Sequence, residues 1–167
     1  MGPGNIERPE KIISRIENLK KKNKMSARLA SINLPSQFCS IKKFDVPEDY
    51  LTGNRENLEW EMYQHLNDPI AAYDLSAVSL APSQTGESDI VVAARKNVVA
   101  ERKELLSAAG LSVCSIDPNI LAVYNGFATL FLDFPVERVL ILDISNPYTS
   151  FLLVVGDDVL PGAAVPT

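Results

Sequence analysis

The stretch that most constrains the fold is residues 139–159. Two apolar runs of strand length, 139–142 and 151–155, flank the polar segment Asp143-Ile-Ser-Asn-Pro-Tyr-Thr149. The spacing predicts two strands joined by a tight turn, a β-hairpin, with a second turn at Gly156-Asp-Asp158. A turn of this kind gathers an Asp carboxylate, backbone N–H groups and a Thr hydroxyl around one point. Such a point could hold a phosphate or a metal-bound water.

Composition limits what else the chain can be. Its 167 residues suffice for one ordinary domain or two small modules. A net charge of -5 argues against nucleic acid as the main partner, because phosphate binding needs a basic surface. No apolar run approaches the ~20 residues that span a bilayer. Met1-Gly-Pro-Gly leads into polar sequence, which does not read as a signal peptide. Cys39 and Cys114 lack CxxC spacing and sit in expected strands, so they read as buried free thiols suited to a reducing compartment. The single His65 has no Cys or second His near it, so no metal site is expected.

The rest of the chain alternates helix and strand. Pro9 suits a first helical turn, with Ile12, Ile13, Ile16 and Leu19 as its apolar stripe. Lys20, Lys21, Lys22 and Lys24 at its end complement the helix dipole and read as a solvated terminus. Strands are expected at 28–34 and 37–44. A helix capped by Asn54 should follow, with Leu58, Met62 and Leu66 at i, i+4, i+8 and with Trp60 and Tyr63 broadening its apolar face. Residues 72–81 read as a strand facing inward at Tyr73, Leu75, Ala77 and Val78. Residues 82–88 read as a loop and 90–94 as a buried strand. A helix from Lys96 or Asn97 should bury Val98, Val99, Leu105, Leu106 and Ala109 and end at Gly110 in a left-handed cap. Residues 112–116 read as a strand. Asp117-Pro118 reads as N-cap and first turn of a last helix with Leu121, Tyr124, Ala128 and Phe131 on its stripe. The fold class is α/β, or α+β, with some parallel pairing and a strand-helix-strand-strand unit at about 36–95.

Several strings, in order, resemble the PilM family of type IV pilus assembly proteins. They include Asn5-Ile-Glu-Arg-Pro-Glu-Lys-Ile-Ile13, Ser31-Ile-Asn-Leu-Pro35, Val46-Pro47, Leu58-Glu-Trp-Glu61, Ala72-Tyr-Asp74, Ile90-Val-Val-Ala-Ala-Arg-Lys96, Ala108-Ala-Gly-Leu111 and Ile116-Asp117. That family belongs to the actin-like ATPase superfamily and is related to FtsA. The resemblance implies an actin-like partial fold. Residues 1–35 and 96–133 would form the first-lobe core, 36–95 the inserted interaction module, and 134–167 the start of the second lobe. It also implies a fragment: a glycine-rich hairpin would precede Met1, and most of the second lobe would follow Thr167.

The superfamily's second phosphate loop runs Asp, apolar, Gly, three variable residues, Thr. The matching positions here are Asp143, Ser145 and Thr149, with serine where the glycine stands. Serine adds a Cβ at the phosphate approach, and Pro147 removes a backbone donor. No catalytic residue and no metal ligand is expected. No cofactor is expected in this chain, with ATP and Mg²⁺ reserved for a longer form. Glu59 and Glu61 do not share a helix face, and no GxSxG elbow is present. The expected function is a cytoplasmic scaffold, peripheral to the inner membrane, of a type IV pilus or type II secretion-like platform. Its partner would be the N-terminal peptide of a PilN-like inner-membrane protein, sought near residues 37–44 and the helix bearing Leu58 and Trp60. Self-association is a further expectation, nucleic acid is not, and membrane contact would come only through the partner. The alternative is a nucleotide-binding ATPase or phosphotransferase of the same superfamily.

Overall fold

The structure, a computed structural model, describes residues 6–45, 55–79, 88–130, 137–145 and 147–167. Helix α1 (Pro9–Lys22) leads into strand β1 (Leu29–Leu34). A 3₁₀ turn (Ser36–Phe38) precedes β2 (Cys39–Asp45), and helix α2 (Arg55–Tyr63) follows. A second 3₁₀ turn (Ile70–Ala72) opens β3 (Tyr73–Ser79), and then comes β4 (Ser88–Arg95). Helix α3 (Lys96–Ala108), strand β5 (Ser112–Pro118) and helix α4 (Asn119–Leu130) come next. The chain closes with β6 (Arg138–Ile144), β7 (Tyr148–Val155), β8 (Asp158–Pro161) and β9 (Val165–Pro166).

These strands form three sheets. β1 and β5 pair in parallel, from Leu29 opposite Ser112 to Leu34 opposite Pro118. β2, β4 and β3 form an antiparallel sheet in that order. β6, β7 and β8 form the third, and β9 pairs with β7 at Tyr148 and Thr149. The expected hairpin is present as β6 and β7, with Asp143 opposite Ser150 and Ile144 opposite Thr149.

The middle sheet is covered on both faces, and its register explains how. On β4, Ile90, Val92 and Ala94 stand across from Lys43, Ile41 and Cys39 of β2. Side chains alternate along a strand, so these share one face. Ile41 and Ile90 join Ile120 of α4 and Ile141, Leu152 and Val159 of the third sheet in one core. The other face carries Tyr73, Val91 and Ala93, which pack on Met62 of α2. A third cluster, Leu34, Val98 and Val99, seats α3 against β1. Leu152 is fully buried, and its burial stabilises the fold by about 2 kcal/mol.

Several elements differ from the sequence reading. β2 begins at Cys39 because residues 36–38 turn as a 3₁₀ helix after Pro35. Asp117 and Pro118 do not open α4; they extend β5, opposite Asn33 and Leu34 of β1. Ladder pairing there takes precedence over the local capping signal, and α4 starts at Asn119. Its most buried residue is Ile120, one position before the expected stripe. α1 buries no residue fully, and Ile12 and Leu19 of its stripe are 40% and 56% exposed. Trp60 and Tyr63 are exposed, so α2 buries a narrower face. Ala77 and Val78 are exposed too, and neighbouring strand residues cannot both face inward. Cys39 is half-buried and Cys114 is exposed; both are free. β8 and β9 are additions to the expected hairpin. Asn54, residues 82–87 and Phe131 lie outside the described residues.

Candidate functional site

The hairpin turn brings Asp143 and Ser145 together, while Thr149, directly opposite Ile144, belongs to the other face of the ladder. Ser145 Oγ donates to Asp143 Oδ1 at 2.8 Å, and Ser145 N–H donates to the Tyr148 carbonyl at 3.1 Å. Thr149 sits in the ladder between Ile144 on β6 and Val165 on β9. The C-terminal residue folds over the turn: Thr167 Oγ1 donates to the Ser145 carbonyl at 3.0 Å, and Thr167 N–H to the Pro147 carbonyl at 2.8 Å. A phosphate loop needs free N–H donors converging on one point. Here the Ser145 N–H is engaged and Pro147 has none. Neither of these two residues offers a free backbone donor to a phosphate.

Asp158 has a different role from the plain turn residue that its sequence context indicates. Gly156 takes φ +57° in the two-residue turn into β8, and Asp158 then forms a partly buried ion pair with Lys43 of β2. Ser150 Oγ of β7 donates to Ser36 Oγ at 3.2 Å, and both side chains are buried. These two contacts join the third sheet to β2 and to the 3₁₀ turn that leads into it. Among the described residues no group of three or more His, Cys, Asp or Glu could hold a metal ion.

The more open feature is a cleft of about 580 Å³ between the middle sheet and β5. β3 contributes Asp74, Ser76 and Val78, which share the face of β4 residues Val92 and Ala94. The opposite wall is β5, and it lines the cleft with six consecutive residues, Val113 to Pro118. Consecutive residues belong to both faces of a strand, so β5 presents its edge here. That edge is unpaired among the described residues, since β5 pairs with β1 alone. The cleft therefore combines a row of backbone donors and acceptors with an apolar floor. Val78, at 61% exposure, stands at its rim.

Of the two regions expected to carry a peptide groove, only Cys39 of β2 reaches this cleft. Helix α2 packs on the far face of the middle sheet. The sequence signal that points here is β4 itself: apolar residues at 90, 91 and 92 mark a strand with apolar surface on both faces.

A smaller cavity of about 290 Å³ lies among Ser36–Lys42, His65, Tyr73, Arg95 and Tyr148. Its polar groups serve one another. Arg95 Nη2 meets Asp68 Oδ2 at 2.6 Å, and its guanidinium lies over the Tyr73 ring at 5.7 Å. Burial raises the Tyr73 hydroxyl's pKa, opposed by Arg95 and assisted by Asp68.

Comparison with known proteins adds five findings. The family described as "Type IV pilus assembly protein PilM" matches residues 1–160. A solved PilM-PilN type IV pilus biogenesis complex contains a chain 26% identical, with TM-score 0.80, over 99% of this chain and 50% of that one. The cytoplasmic domain of EpsL, an inner-membrane component of the type II secretion system of Vibrio cholerae, is 13% identical. Its TM-score is 0.61, over 92% of this chain and 56% of that one. A Bacteroides thetaiotaomicron protein with an actin-like ATPase fold gives 8% identity and TM-score 0.50, and shares the fold alone. No curated protein sequence matches the chain. The chain spans about half the length of these solved chains and carries part of an actin-like fold.

Proposed function

Because the chain belongs to the PilM family of type IV pilus assembly proteins, we propose that it is a scaffold that holds an extended peptide of a PilN-like inner-membrane protein. The peptide lies in the cleft between β3, β4 and β5. The observation that carries this reading is the unpaired edge of β5, aimed along its length into an apolar cleft. An added strand would satisfy that edge and seat alternate side chains against Val78, Val92 and Val113. The likeness to a chain of a PilM-PilN complex supports the choice of partner. In this reading residues 1–35 and 96–133 form the first-lobe core, 36–95 the interaction module and 134–167 the start of the second lobe. The protein works at the cytoplasmic face of the inner membrane. No helix among the described residues is long and apolar enough to cross a membrane itself.

The test is calorimetric titration with a synthetic N-terminal peptide of a PilN-type protein from the same organism. Binding is expected, and Val113→Asp should weaken it at least tenfold. A peptide N-methylated at alternate residues should not bind, because it lacks the N–H row that pairs with β5. Equal binding by the methylated peptide would eliminate strand addition. No nucleotide is assigned to this chain: a ligand at 100 times its Kd adds about 2.7 kcal/mol of stability, and Mg-ATP is expected to leave the thermal midpoint unchanged.

A further inference from the structure

Charge is divided unevenly along this acidic chain. Residues 7–28 carry eight basic and three acidic side chains, a net +5, while the remaining residues sum to -10. The basic segment is α1 and the turn that follows it. That helix buries no residue fully.

At 100° per residue, Ile12 and Leu19 stand almost above one another, because they are seven positions apart. Lys11, Arg15 and Lys22 fall within about 90° of that line on one side. Glu10 and Glu17 fall on the opposite side of the helix. Ile13 and Ile16, the half-buried positions, lie on the remaining side, beyond Ile12 and Leu19. The exposed surface is thus an apolar ridge beside a basic stripe, with the acids segregated away. Met25, also exposed, extends the apolar surface just beyond the helix.

Lys20 is spoken for: its ammonium donates to the carbonyls of Gly110 and Ala109 at 3.0 and 3.3 Å, closing the end of α3. The side chains of Lys11, Arg15, Lys21, Lys22 and Lys24 make no hydrogen bond or ion pair among the described residues and stand in solvent. Lys24 holds φ +51°, a conformation in which glycine would be less strained.

We infer that this face of α1 docks on an anionic lipid bilayer, with Ile12 and Leu19 entering the headgroup boundary and the basic stripe over the lipid phosphates. The apolar ridge is what selects a bilayer over another polyanion. A nucleic acid would use the lysines and leave Ile12 and Leu19 in water, whereas an interfacial helix uses both. Direct docking replaces the expectation that the lysines only solvate a helix end.

The test is co-sedimentation of the whole chain with vesicles rich in phosphatidylglycerol, against vesicles of phosphatidylcholine alone. Binding is expected to the first at low salt and to be lost toward 1 M salt, where screening shortens to about 3 Å. Each removed charge should weaken partitioning about fivefold, so Arg15→Gln with Lys22→Gln should weaken it about 25-fold. Leu19→Ser should weaken it about tenfold at unchanged charge. These positions are exposed, and an unchanged circular dichroism spectrum would confirm that each variant folds. No binding to the anionic vesicles, equal binding to both kinds, or indifference to Leu19→Ser would overturn the inference. So would tighter binding of Leu19→Ser and wild type alike to duplex DNA than to the vesicles. Peptide titration of the same variants should be unaffected, which separates this result from the cleft's.

Discussion

At Cys39, burial raises the thiol's pKa from its ordinary 9.0 to about 12, with the Arg102 guanidinium opposing the shift. The neutral thiol is the nucleophile's resting form over most of the pH range, so Cys39 should be inert. An aromatic disulfide reagent at pH 8 is expected to label the exposed Cys114 first and Cys39 only as the chain unfolds. The same shift carries a stability consequence. The folded state keeps its proton where the unfolded thiol loses it, so stability present below pH 9 is lost as pH rises from about 9 toward 12. Urea unfolding should therefore show Cys39→Ala catching up with wild type above pH 9, by up to about 1.4 kcal/mol per pH unit. A constant gap between the two would contradict this. Lys24 offers a second measurement on one residue. It occupies the left-handed position of a helix end closed by Met25 N–H to Lys20 O at 2.9 Å and Lys24 N–H to Lys21 O at 3.2 Å. Gly110 fills the same position at the end of α3, at φ +68°. Lys24→Gly is expected to raise stability by about 1 kcal/mol in urea unfolding.

The elements divide by how local their causes are. The β6–β7 hairpin, the α3 stripe and its Gly110 cap were legible because apolar period and turn residues lie within one short window. The middle sheet was legible for the same reason: β4 is a continuous apolar run. The ends of β5 and α4 were not, because Asp117-Pro118 reads locally as a cap. It pairs instead with Asn33 and Leu34, more than eighty residues away. The cleft was hidden likewise, since no single window shows that β5 turns its edge toward β3. Spacing placed Asp143, Ser145 and Thr149 at the hairpin, but the contacts of Thr167 with that turn follow from three-dimensional folding-back. β8 and β9 were missed because strands of four and two residues carry little periodicity. The segment between them yields a sharp prediction. A Cβ at Gly162 would be driven into the Phe151 ring, while Gly162 N–H holds the Phe151 carbonyl at 3.0 Å. Gly162→Ala should cost about 1–3 kcal/mol in urea unfolding. Adding Phe151→Ala should return part of it, a coupling that independent sites would not show.

Over the whole molecule, the third sheet braces the middle one through a shared isoleucine-rich core, the Ser36–Ser150 hydrogen bond and the Lys43–Asp158 ion pair. The antiparallel pairs β3–β4, β6–β7 and β7–β8 join segments close in sequence. The parallel pair does not: Ser31 and Ser115, whose hydroxyls meet across β1 and β5, are 84 positions apart. Closing so long a loop is entropically costly and slow compared with forming a hairpin. Pulse-labelling hydrogen exchange during refolding should thus protect β3–β4 and β6–β7 amides before those of β1 and β5. Simultaneous protection would disprove that order. On a ribosome the same constraint becomes a clock. β1 emerges and waits, unpaired, until residue 118 has been made, so the wall that frames the cleft is completed after the middle sheet. A nascent chain can acquire its stable middle layer well before it acquires a place for a partner to bind.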